Sequence, residues 1–116
     1  KSIIGLANAV GDLTSKVRNK KLSIDDVQEG TFTLNNTGVL GSTTSQPIIN
    51  HPQAAILTTE AIQKRPVVIQ DAIAIRSMMN MCMSFDHRIN DGAESSAFLQ
   101  SIKRRIEAIT ENTPIY

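Results

Sequence analysis

Cysteine and histidine are scarce in this chain. Cys82 is the single cysteine among 116 residues, which excludes a disulfide framework and fits a reducing compartment. It stands inside an apolar run, where a small buried core residue is expected. Excess charge of one sign is also missing. A net charge of +1 gives no electrostatic case for nucleic acid or for an anionic membrane. No apolar run approaches the roughly 20 residues of a bilayer span, and no repeat or low-complexity segment is present. The composition that remains is 41% hydrophobic, enough for a core and unlike that of a disordered chain. The length makes one domain at most, or part of a larger one.

Periodicity divides the chain into an α/β pattern. Ile3, Leu6, Val10, Leu13 and Val17 recur at spacings of three and four, predicting an amphipathic helix over 2–19 with Ser2 as its cap. Lys16, Arg18, Lys20 and Lys21 gather at its C-terminal end, where cations favour the helix dipole. Ser23 is placed to cap a short helical turn. Residues 31–35 alternate and read as a strand, 36–46 as a loop long enough to suggest function, and 47–52 as an extended segment between two prolines. Residues 54–61 read as a strand buried on both faces, broken by Lys64-Arg65-Pro66. Val67–Ile69 and Ala72–Ile75 flank Gln70-Asp71 as a tight hairpin, expected beside a buried strand running from about Met78 to Phe85. The four methionines between 78 and 83 read as flexible core filler. A final helix is expected over 91–109, with Ala93, Ala97, Phe98, Ile102, Ile106 and Ile109 on one face.

Two histidines occur in the chain. His51 has no acid nearby in sequence and reads as a structural loop residue. His87 ends the strand that closes at Phe85, and Asp91 and Gly92 follow where the helical pattern begins. A histidine at a strand end is held by a rigid scaffold yet remains reachable, and its near-neutral pKa suits general-base chemistry.

The string Asp86-His87-Arg88-Ile89-Asn90-Asp91-Gly92 resembles the Asp-His-Arg-x-x-Asp-Gly signature of the dihydrolipoamide acyltransferases, the core subunits of 2-oxo acid dehydrogenase complexes. Gly30–Gly38, Pro47–Asn50 and Ala54–Leu57 fall in that family's order and spacing, so the likeness covers essentially the whole chain. It implies a chloramphenicol acetyltransferase-like α/β fold (an α+β sandwich), with a mixed sheet flanked by helices and an active site between subunits. It implies acyl transfer from S-acyldihydrolipoamide to coenzyme A, with closest likeness to bacterial branched-chain or related acyltransferases. His87 takes the position of the base that deprotonates coenzyme A. Asp91 takes that of the aspartate supporting the site through hydrogen bonds, a role compatible with capping the helix. Asn35 stands where many members carry a serine that donates to the oxyanion. An asparagine amide is also a donor, and the alternative for Asn35 is a strand-end residue bonded to backbone. No metal is implied.

Members of the family are roughly twice this long in their catalytic domain. The expectation is therefore that residues 1–116 are the C-terminal half of one such domain, with the upstream half absent. The resemblance further implies homotrimers built into a cubic or dodecahedral core. Its partners would be a lipoyl group on a separate domain, and the dehydrogenase and dihydrolipoamide dehydrogenase subunits bound through upstream domains. The location would be the bacterial cytoplasm or the mitochondrial matrix, and Ile115, beside Tyr116, would anchor the contact between trimers. Two alternatives stay open: a non-catalytic structural or binding subunit of such a core, and a free-standing coenzyme A-dependent acetyltransferase. An intact Asp86–Gly92 string argues against the first.

Overall fold

A computed structural model describes residues 1–114; the expected roles of Ile115 and Tyr116 lie outside the described residues. The chain falls into two compact units, residues 1–30 with 101–116, and residues 31–100.

The first unit is led by helix α1 (Ile3–Arg18). Its start is fixed as the sequence predicts, Ser2 Oγ accepting the Gly5 N–H at 3.1 Å. Its end is set by Lys20 in the left-handed region (φ 54°). That residue and the next close the helix by donating to Val17 O at 3.0 Å and Lys16 O at 2.8 Å. The turn of 3-10 helix at Ile24–Asp26 follows. The Asp26 carboxylate accepts the Ser23 N–H at 2.9 Å and pairs with Lys16 Nζ at 2.6 Å. The Lys16 ammonium, then Ser23, holds the Asp26 carboxyl at a pKa of about 2. The apolar stripe of α1 is exposed along its length.

The second unit contains a three-stranded mixed sheet in the order β1-β2-β5. Strand β2 (Ala55–Thr59) is central, parallel to β1 (Phe32–Asn36) and antiparallel to β5 (Met81–Phe85). Its position explains its composition: with neighbours on both edges and both faces covered, Ala55, Ile56, Leu57 and Thr58 are all buried. The register aligns Phe32, Ala55 and Phe85 in one cross-strand row, and Asn35, Thr58 and Cys82 in another. Alternation places Phe32, Ala55, Leu57, Met83 and Phe85 on one face. Helix α2 (Gly92–Glu107) covers that face near its start, Phe98 meeting Phe32 edge-on at 5.9 Å.

The other two strands, β3 (Gln63–Ile69) and β4 (Ala72–Met78), form a separate antiparallel hairpin. Its turn is the expected Gln70-Asp71, with φ of 50° and 60°. Three expectations are corrected here. Lys64-Arg65-Pro66 is no break but part of β3, because both strands of a two-stranded sheet are edges and an edge tolerates the missing N–H of proline. The hairpin does not pair with the strand ending at Phe85, and Met78 belongs to β4, the chain turning at Met79-Asn80 before β5 begins. Finally, β5 is only half-buried and Cys82 with it, since β5 lies at the sheet's edge.

Candidate active site

The site is built where β5 runs out. The Asp86 N–H still donates to Ala54 O at 2.9 Å, extending the β2–β5 pairing by one bond. The chain then turns, the N–H groups of Ile89 and Asn90 both donating to Asp86 O at 3.1 Å. The Asp86 carboxylate clasps the turn from outside. It accepts the Arg88 N–H at 2.9 Å and grips the guanidinium through Nε at 2.9 Å and Nη2 at 2.6 Å. Arg88, through its side chain first and its backbone N–H second, holds the Asp86 carboxyl at a pKa of about 2, and the charge of His51 acts in the same direction. Residue 87 thus sits between two residues locked to each other. Its imidazole is exposed, with its ring centre 5.6 Å from that of Phe85.

The imidazole opens into a cleft of about 540 Å³ lined by His51, Gln53, Asp86, Arg88 and Ile89 among others. His51 has no acid near it in sequence. The acid is Asp86, brought to it by the fold from 35 residues further along the chain. No local pattern announces such a neighbour.

Asp91 is placed as the helix pattern predicts. Its Oδ1 accepts the Glu94 N–H at 2.9 Å and its carbonyl accepts the Ser95 N–H at 3.1 Å, making it the N-cap of α2. Among the described residues no hydrogen bond joins it to His87.

Asn35 lies near the end of β1, exposed, its Oδ1 accepting the Asn36 N–H at 2.9 Å. The backbone bond foreseen as the alternative therefore exists, and it uses the oxygen, leaving the amide N–H groups without a partner among the described residues. Asn35 and His87 are not brought together within one chain. Asn35 shares a row with Cys82, three residues along the sheet from the Phe85 row that His87 follows. At about 3.3 Å per residue and about 4.8 Å per strand, they are separated by more than about 10 Å along the sheet and two strand spacings across it.

Sequence reading also passed over Glu60, a buried carboxylate just beyond β2. The only local signal was an acid inside the apolar run Ala54–Ile62.

A sequence model of the "2-oxoacid dehydrogenases acyltransferase (catalytic domain)" family matches residues 1–113. The lipoamide acyltransferase component of the branched-chain alpha-keto acid dehydrogenase complex of Bacillus subtilis is 51% identical over the whole chain, which spans 28% of that protein. Among solved structures, the probable dihydrolipoamide acetyltransferase of Listeria monocytogenes superimposes with a TM-score of 0.96 at 56% identity, over 100% of this chain and 50% of that one. The Azotobacter vinelandii dihydrolipoamide acetyltransferase, studied for the role of a serine, a histidine and an asparagine in its catalytic mechanism, superimposes with a TM-score of 0.83 at 36% identity, over 88% of this chain and 42% of that one. The chain thus spans about half of the first solved relative and under a third of the first curated one.

Proposed function

This chain belongs to the 2-oxoacid dehydrogenase acyltransferase (catalytic domain) family, and on that premise we propose that it carries the base of a site moving an acyl group from S-acyldihydrolipoamide to coenzyme A. The observation that carries this reading is the Asp86–Asn90 turn, which presents an exposed imidazole on a clamped backbone at the mouth of a cleft. His87 accepts the proton of the coenzyme A thiol, because the thiolate is the nucleophile. The sulfur attacks the thioester carbonyl carbon, and the C=O electron pair moves onto oxygen. That oxyanion is met by an N–H donor. Collapse re-forms the carbonyl and breaks the bond to the dihydrolipoamide sulfur, which takes back the proton from His87.

The donor is Asn35 of a neighbouring copy, since the register keeps Asn35 and His87 of one chain apart. The residues studied in the Azotobacter enzyme support the pairing, for its serine, histidine and asparagine follow one another at the separations of Asn35, His87 and Asp91. Asp91 holds the start of α2 beside the base.

The same reading makes residues 1–116 the C-terminal half of a catalytic domain and the working unit a homotrimer within a cubic or dodecahedral core. The acyl group arrives on a lipoyl domain. The identity to the Bacillus subtilis protein favours a branched acyl chain. The setting is the bacterial cytoplasm or the mitochondrial matrix.

The test is His87→Ala in the full-length subunit, assayed with S-acetyl-, S-succinyl- and S-isobutyryldihydrolipoamide. Transfer to coenzyme A falls at least about a hundredfold while the core still assembles. Near-normal turnover contradicts the assignment.

A further inference from the structure

We propose that Glu60 is a positioning residue for this acyl-transfer site, fixing the loop over residues 37–45 and through it the carboxamide of Asn35. The inference rests on Asn35 acting as the oxyanion donor. Glu60 is 2% exposed, and no lysine, arginine or histidine pairs with it among the described residues. A buried carboxylate without a counter-ion persists only where hydrogen bonds replace its water. Nearly all of those bonds come from one loop. The Thr37 hydroxyl donates to Oε2 at 2.9 Å and the Ser45 hydroxyl to Oε1. Ser42 and the Cys82 thiol also face it, and the Ser45 bond, ahead of Ser42, keeps the carboxyl below its ordinary range.

The backbone reinforces the arrangement. The Ala61 N–H donates to Ser42 O at 2.7 Å, the Glu60 N–H to Asn80 O at 3.1 Å, and Asn80 Nδ2 to Thr43 O at 2.7 Å. At Gly38 the loop passes so close that a Cβ would lie 2.5 Å from the Glu60 carbonyl. The carboxylate therefore gathers both ends of a loop rich in hydroxyls that would otherwise have no common partner.

The link to the site is geometric. Side chains alternate along β1, so Thr37 follows Asn35 on the same face. Thr58 is the cross-strand partner of Asn35, and Glu60 lies two positions beyond it on that face. The bond from Thr37 to Glu60, with the Thr37 N–H donating to Thr59 O at 3.1 Å, fixes the residue two positions after Asn35. An oxyanion donor works only when held in place before the charge develops.

The test is a cycle of Glu60→Gln, Asn35→Ala and the double variant in the full-length assembled subunit, with S-isobutyryldihydrolipoamide and coenzyme A as substrates. Glutamine keeps the shape but turns an N–H2 group toward one of the hydroxyls. The expected result for Glu60→Gln is a kcat lower by about tenfold, within the range for a misplaced donor, with KM for both substrates and core assembly unchanged. In the Asn35→Ala background the same change costs less than about twofold, because the donor it positions is gone. A wild-type kcat for Glu60→Gln overturns the proposal. So does a full tenfold loss on top of an impaired Asn35→Ala, which makes Glu60 structural while leaving Asn35 its role. Wild-type kcat for Asn35→Ala alone overturns the donor reading and this proposal together.

Discussion

His87 is held by contacts that its own ring does not make. Asp86 and Arg88 grip each other across it, so the turn is set by a carboxylate-guanidinium pair with a backbone bond inside it. This gives the site an acid limit. The ordinary Asp86 value is 3.8 and the folded one about 2. A lowered folded pKa contributes stability that is fully present above the unfolded value and is lost as pH falls through the folded one. The contribution of the clamp is therefore full from neutral pH down to about 4 and shrinks below that, the clamp itself being half open at about 2. A carboxyl-carbon NMR titration of Asp86 shows a midpoint near 2; a midpoint at the ordinary 3.8 contradicts the clamp. His87 and Asp91 could be singled out because they stand together in one string, and the capping place of Asp91 was legible there; the grip of Asp86 on Arg88 was not. His51 and Glu60 were not legible either, because what makes each of them matter is a partner far away in sequence: Asp86 for the first, the loop hydroxyls for the second.

At the scale of elements, the boundaries follow local chemistry closely. Ser2 and Asp91 start the two helices from side-chain oxygens, as their types and positions predict. Asp91→Ala removes the cap of α2 and is expected to cost about 1 kcal/mol of stability. Asp91→Asn keeps an acceptor at the same place and costs only a few tenths, so denaturant midpoints separate the two variants. Equal midpoints for alanine and aspartate would show that the oxygen does not hold the helix. Strand membership was harder to read than strand existence. Lys64-Arg65-Pro66 has the composition of a connection, yet it lies in an edge strand where charge and proline are tolerated. The methionine-rich run reads as one strand but is shared between two sheets, because hydrophobicity records no turn at Met79-Asn80.

At the scale of the whole molecule, far more large apolar side chains are exposed than buried among the described residues. Among the described residues Ala55, Ile56 and Leu57 are the buried apolar ones, while Val39, Leu40, Ile48, Val68 and Ile73 stand largely exposed. Exposed apolar surface of this kind is typical of faces that an interaction covers. The sequence identifies which residues are apolar but not which of them another copy, or another part of a longer protein, will cover. The same holds for the proposed site: Asn35 and His87 lie apart in one chain, and on that reading they meet only across copies. Co-expression of full-length His87→Ala and Asn35→Ala subunits tests that claim directly. In a randomly mixed cyclic trimer about one site in four receives His87 from one copy and Asn35 from the next. The expected activity is therefore about a quarter of wild type, well above either variant alone. Activity no higher than the average of the two single variants would mean that both residues act from the same chain, contradicting the account.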